Sequence, residues 1–253
     1  MDYQAITLVI ADDIATLTLN RPDVMNALNT QMRAEITHAV KDASRKARVL
    51  VMTGAGTAFC SGQDLGDGGN AANLDLERTL RDEYVPMLRA ILDSPIPTIA
   101  AVNGAAAGAG ANLALACDVV MASEAAVFIQ AFARIGLIPD AGGTYFLPRQ
   151  VGAAKAMGAA LFADKVTAQQ ACDWGMIYET VPAADFVAHW QGRAAHLAKG
   201  PTTTYLHIKD AIRGSFDNTL DEQLALEARL QGACGKTRDF KEGVLAFLEK
   251  RPA

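Results

Sequence analysis

Three times in this chain an apolar, strand-like run passes straight into glycine and other small residues. The segments are 53–65 (TGAGTAFCSGQDL), 103–118 (NGAAAGAGANLALACD) and 136–144 (GLIPDAGGT). Small residues let a ligand or a second backbone come close, and a helix starting there offers N–H groups with no partner inside the helix. Such a chain needs buried strands with crossover helices behind them, and the flanking pattern agrees. Residues 48–53 (RVLVMT) and 98–102 (TIAAV) are continuous apolar runs of the kind found in strands covered on both faces. Residues 118–123 read as a third strand. Helical stretches at 29–46, 74–92 and 104–117 alternate with them, so the expected class is α/β.

The remaining elements follow from period and punctuation. Residues 3–10 and 14–20 form a predicted hairpin around Ala11-Asp12-Asp13, with Ala15, Leu17 and Leu19 on one face. Arg21-Pro22 ends it, and Asn29 is the expected N-cap of a helix whose apolar stripe is Met32, Ile36, Ala39, Val40 and Ala43. Residues 66–73 (GDGGNAAN) read as a loose, mobile loop. Thr167-Ala-Gln-Gln170 is a capping box, and Gly175 a helix stop before a short strand at 177–181. Helices at 183–199, 202–213, 220–233 and 238–249 complete the chain. The predicted division is a core over 1–198 and a helical region over 199–253. The apolar faces of that region exceed what one subunit needs, which points to oligomerisation.

Composition removes several function classes. Lys+Arg is 23 against Asp+Glu 28, a net charge of -5, with no dense basic block, so a nucleic-acid partner is not expected. With 51% apolar residues the chain is not disordered, and no eighteen-residue apolar run suggests a membrane span. The start Met1-Asp2-Tyr3-Gln4 lacks the basic region of a secretory leader. Cys60, Cys117, Cys172 and Cys234 share no metal-binding or disulfide spacing; they fit a reducing cytoplasm, and no metal site is expected. Gly54-Ala-Gly56 and Gly108-Ala-Gly110 both lack the third glycine of a dinucleotide fingerprint, and there is no P-loop.

Taken in order, a series of motifs resembles the crotonase superfamily, the enoyl-CoA hydratases and isomerases. The series is Leu19-Asn20-Arg21-Pro22 with Asn26-Ala27-Leu28, then Phe59-Cys-Ser-Gly-Gln-Asp-Leu65, Ala101-Val-Asn-Gly104 and the Gly108-Ala-Gly110 helix. Ile138-Pro-Asp-Ala-Gly-Gly-Thr144, Leu147-Pro-Arg149 and Phe247-Leu-Glu-Lys-Arg251 complete it. It spans nearly the whole chain. Residues 134–149 and 171–177 carry a narrower resemblance, to family isomerases that act on ring-1,2-epoxyphenylacetyl-CoA.

The resemblance implies a crotonase fold: repeated ββα units in a spiral core and a helical C-terminal region that forms homotrimers or dimers of trimers. It implies an acyl-CoA thioester as substrate, coenzyme A being part of that substrate and no separate cofactor being required. By motif position the thioester oxygen would be held by the backbone N–H groups of Gln63 and Ala109, whose side chains would then matter little. One such donor is typically worth about 2.7–4 kcal/mol of barrier. Met25, Ser61, Gly62, Asp64, Leu65 and Gly108 fall where the family contacts substrate or coenzyme. Lys250 and Arg251 are candidates for a coenzyme phosphate, with a solvated terminus equally consistent. The acyl pocket is expected among residues 66–88 and 128–135.

Family hydratases use two glutamates. Their positions fall here at Asn112 and about Phe132, neither of which can accept a proton at pH 7. Asp140 falls where family isomerases carry their acid/base carboxylate, and one carboxylate can move a proton between two carbons. It is the expected catalytic residue; a helix N-cap is the competing role. The same position holds the nucleophile of family dehalogenases, but no histidine of this chain falls in their motif. Asp64 and Asp118 are read as loop-holding groups, and Cys60 as an unactivated thiol. The expected activity is isomerisation through a thioester enolate; a non-catalytic acyl-CoA- or RNA-binding member is the rival reading.

Overall fold

The computed structural model of the protein describes residues 2–66 and 75–252. Strands β1 (Ile6–Ala11) and β2 (Ile14–Leu19) pair antiparallel, Ile6 opposite Leu19. The intervening Asp12 and Asp13 both take left-handed φ (51° and 62°), the backbone a tight hairpin turn requires. From β2 the sheet runs parallel through β3 (Val49–Gly54), β5 (Thr98–Val102), β7 (Val119–Ser123) and β10 (Glu179–Val181). A second, four-stranded sheet orders β4 (Ala58–Cys60), β6 (Ala105–Ala107), β8 (Val127–Ile129) and β9 (Val166–Thr167). Each of β3, β5 and β7 is therefore followed by a short strand in the other sheet, and then by helix. That is the repeated ββα unit.

The helices of the larger unit are α1 (Thr30–Lys46), α2 (Leu76–Thr79), α3 (Val85–Leu92), α4 (Ala109–Leu115), α5 (Gly143–Phe162), α6 (Ala168–Asp173) and α7 (Phe186–Lys199). Asn29 caps α1 by accepting the Met32 N–H, and Thr167 with Gln170 forms a complete capping box on α6. Residues Leu80–Tyr84, between α2 and α3, wind as a π-helical turn. The loop expected at 66–73 lies, beyond Gly66, outside the described residues.

Val49, Val51, Ile99 and Met121 pack one face of the large sheet against Phe186 and Trp190 of α7. Leu50, Met52 and Val102 pack the other face into the main core, with Met32, Ile36 and Ile91 from α1 and α3. Both faces are thus covered, which is why the strands read as unbroken apolar runs. The helix expected over 104–117 is a correction: residues 105–107 are strand β6, and the helix begins only at Ala109. Pairing of β6 with β4 and β8 overrides the helix propensity of three alanines.

The chain separates into two compact units, Met1–Ala198 and Lys199–Ala253. The smaller holds α8 (Thr202–Gly214), α9 (Leu220–Cys234) and α10 (Arg238–Glu249). A capping box of Thr219 and Glu222 starts α9. Ile212, Leu220, Phe247 and Leu248 are exposed in this unit, large apolar side chains that three helices alone do not bury. No helix among the described residues is long and apolar enough to cross a membrane.

Candidate active site

Two peptide units define the site. The carbonyl of Gly62 accepts the Leu28 N–H at 2.7 Å, while the Leu28 carbonyl accepts the Asp64 N–H at 3.1 Å. In a trans peptide the C=O and N–H point opposite ways, so the Gly62–Gln63 unit aims the Gln63 N–H away from Leu28. In the second unit the Gly108 carbonyl accepts the Asn112 N–H (3.2 Å) as the first bond of α4. That leaves the Ala109 N–H directed out of the helix N-terminus. Among the described residues, neither N–H has an acceptor.

Glycine brings these two units together. A Cβ on Gly62 would stand 2.8 Å from the Ala107 oxygen and 3.4 Å from the Ala109 nitrogen, and Gly62 has φ 96°. A Cβ on Gly110 would stand 2.3 Å from the Cys60 oxygen, so α4 rests directly on β4. Gly62 and Gly110 are therefore points of backbone-to-backbone approach.

The other expected residues are placed as follows, each within its own unit. The Ser61 N–H donates to the Met25 carbonyl (2.9 Å), and the Ser61 hydroxyl to the Val24 carbonyl (3.2 Å). Met25 is exposed and left-handed; beside it the buried Asn26 holds the turn, donating to the Ala55 and Ala58 carbonyls and accepting the Arg21 N–H. Asp64 pairs with Arg21 at 2.8 Å and accepts the Gly66 N–H, and Asp118 accepts the Thr98 N–H and hydroxyl. Leu65 is exposed. In the smaller unit Arg251 pairs with Glu242 and Glu249, each at 2.6 Å.

Asp140 precedes α5 but does not cap it. Gly142 is the N-cap, and the cap has no side-chain hydrogen bond. The Asp140 backbone carbonyl accepts the Gly143 N–H and the Asn112 side-chain amide, both at 2.8 Å. Its carboxylate Oδ1 is buried without a hydrogen-bond partner. Burial raises the carboxyl from its ordinary 3.8 to about 6. Burial pushes the Tyr84 phenol up, the Arg33 charge opposes this, and the Asp140 charge adds to the rise. Cys60, fully enclosed, is pushed up to about 12 and stays a thiol.

Asn112 and Phe132, at or near the positions where the sequence resemblance puts the two hydratase glutamates, are both buried. Asn112 Oδ1 accepts from Gln130 Nε2 at 2.8 Å, and this fixes its Nδ2 toward Asp140. Phe132 sits beside Gly108, its ring 3.7 Å from where a Cβ would stand.

Sequence reasoning missed a second layer. The side chain of Gln63, expected to matter little, accepts from Tyr84 Oη (2.6 Å) and Arg33 Nη1 (2.9 Å). Arg33 is 2% exposed and pairs with Glu83 at 2.7 Å. Its position next to Met32, on the rim of the apolar stripe of α1, gives no signal of burial. Gln130 likewise carries no motif.

Comparisons with known proteins place the chain among relatives of one family. The sequence profile of the family described as Enoyl-CoA hydratase/isomerase matches residues 10–253. A "Probable enoyl-CoA hydratase" of Rhodobacter capsulatus is 59% identical over 252 residues, covering 100% of this chain and 98% of that protein. A "1,2-epoxyphenylacetyl-CoA isomerase" of Escherichia coli is 45% identical over 243 residues, covering 94% and 93%. Among solved structures, an enoyl-CoA hydratase from a Polaromonas species superposes with TM-score 0.92 at 32% identity, covering 98% of each chain.

Proposed function

Starting from the fact that this chain belongs to the enoyl-CoA hydratase/isomerase family, the crotonases, and has the crotonase fold, we propose that it is an acyl-CoA isomerase with Asp140 as its acid/base. The observation that carries this reading is the Asp140 carboxylate: half-buried, with one oxygen lacking any partner, and positioned from α4, the helix that begins at Ala109. The thioester oxygen sits between the N–H groups of Gln63 and Ala109. Asp140 takes the proton from the carbon next to the thioester, the carbonyl oxygen gains the charge, and the two donors stabilise it. Protonated Asp140 then returns the proton two carbons further along. A β,γ double bond becomes α,β, and no atom is gained or lost.

Ring-1,2-epoxyphenylacetyl-CoA fits the same step. Opening of its epoxide carbon–carbon bond gives an oxepin whose ring double bond is β,γ to the thioester. Moving one proton from the α to the γ carbon yields the conjugated oxepin-CoA. The name of the 45% identical relative supports this substrate.

Hydration is the second reading, favoured by the name of the 59% identical relative. It lacks a second carboxylate here, because Asn112 is an amide committed to Asp140 and Phe132 is apolar. Incubating the protein with a 3-enoyl-CoA, a 2-enoyl-CoA and ring-1,2-epoxyphenylacetyl-CoA separates the readings. Conjugated products from the first and third, with no 3-hydroxyacyl-CoA from the second, support isomerisation; the opposite pattern overturns it.

The working form is a homotrimer or a dimer of trimers in the cytoplasm, built through the apolar helices of 199–253. Light scattering that returns a monomer overturns this assembly.

A further inference from the structure

A buried polar cluster lies behind the Gln63 amide. The π-helical turn Leu80–Tyr84 delivers Tyr84, 3% exposed, with its hydroxyl donating to Gln63 Oε1 at 2.6 Å. π-Helical turns are rare and are frequently found at functional sites. The same oxygen accepts from Arg33 Nη1 at 2.9 Å, and Nη1 also donates to the Leu28 carbonyl at 2.6 Å. The Arg33 Nε and Nη2 both bond Glu83 Oε2, and the guanidinium carbon lies 5.0 Å from the Tyr84 ring centre. Arg33 therefore grips Leu28, the residue that bonds the peptides on both sides of Gln63, and the Gln63 side chain as well.

We propose that Tyr84 and Arg33 are positioning residues that clamp the Gln63 side chain and so set the aim of the Gln63 N–H toward the thioester oxygen. This rests on the reading of that N–H as an oxyanion donor. A main-chain donor cannot be deleted by changing its own side chain, but its direction can be altered through what the side chain is tied to. Geometry of this kind matters because donors act on the position the developing charge occupies.

The test uses Tyr84→Phe, Gln63→Leu and the double variant in the full-length protein. Two readouts are followed: steady-state isomerisation, and the absorption shift of bound cinnamoyl-CoA, whose conjugated carbonyl reports polarisation by the donors. Tyr84→Phe is expected to lower kcat roughly 3- to 30-fold with KM within about twofold, and to shrink the absorption shift. Because the tyrosine acts through the Gln63 side chain, the double variant is expected to match Gln63→Leu alone. Thermal unfolding accompanies each variant. If Tyr84→Phe does not fold, the clamp is judged on Gln63→Leu, which must lower kcat and the shift. Wild-type kcat and shift in Tyr84→Phe, or two losses that simply multiply, overturn the clamp while leaving the oxyanion reading intact. A wild-type protein that binds cinnamoyl-CoA without any absorption shift overturns the oxyanion reading, and the clamp with it.

Discussion

Asn112 donates its side-chain N–H to the main-chain carbonyl of Asp140 at 2.8 Å, and Gln130 in turn donates to the Asn112 oxygen at the same distance. The helix that presents the Ala109 N–H is thereby tied directly to the bend that presents the carboxylate. Asn112 thus braces the backbone of the residue proposed as the acid/base.

Asn112→Leu removes that brace and leaves Gln130 Nε2 without its acceptor. Stability is expected to fall by about 1–3 kcal/mol from the unpaired buried groups. A displaced base is expected to cost kcat up to roughly 100-fold. Denaturant unfolding and steady-state isomerisation measure the two losses separately. Unchanged kcat in a folded variant contradicts the bracing role.

On the proposed role of Asp140 as acid/base, its raised carboxyl sets the pH dependence. It must be ionised to accept a proton, so kcat/KM is expected to climb from acid through about pH 6 and then level. A profile with its acid limb near the ordinary carboxylate value of 3.8 contradicts the burial.

The same group costs stability when charged. Its folded value lies above its unfolded value, so the native state binds the proton more tightly, and stability falls as pH rises from 3.8 to about 6. Asp140→Asn is therefore expected to be more stable than wild type at pH 8, by on the order of 1 kcal/mol after allowance for the solvent-facing part of the side chain. The gain is expected to vanish below pH 4. Melting temperatures at both pH values check the sign.

Gly62→Ala introduces a Cβ 2.8 Å from the Ala107 oxygen at a residue with φ 96°. The strain is expected to cost about 1–3 kcal/mol and to push the two amides apart. A melting temperature and an isomerisation rate near wild type contradict the close approach described for these peptides.

Much of this was legible in the sequence, for physical reasons that differ by element. Val49, Val51, Leu50 and Met52 face opposite sides of β3, and both sides are core, so the run had no polar gap to hide it. Asn29 and Thr167 announced their helices through short side chains that can reach a neighbouring N–H. The strand Ala105–Ala107 was not legible, because alanine favours helix and only pairing with distant β4 and β8 makes it extended. At the candidate site, motif position was the signal for Asp140, Gln63 and Ala109, and the structure shows Gly62 letting the Gly62–Gln63 and Gly108–Ala109 peptides approach. Arg33, Tyr84 and Gln130 were silent, since their roles arise from contacts across elements distant in sequence.

The most direct measurement is exchange of α-protons of a bound 3-enoyl-CoA in deuterated water, followed by NMR, for wild type and Asp140→Asn. We expect wild type to incorporate deuterium at the α and γ carbons and the variant to slow this by several orders of magnitude while still binding the thioester. Equal exchange by both proteins contradicts the account, because the proton would then be moving without Asp140.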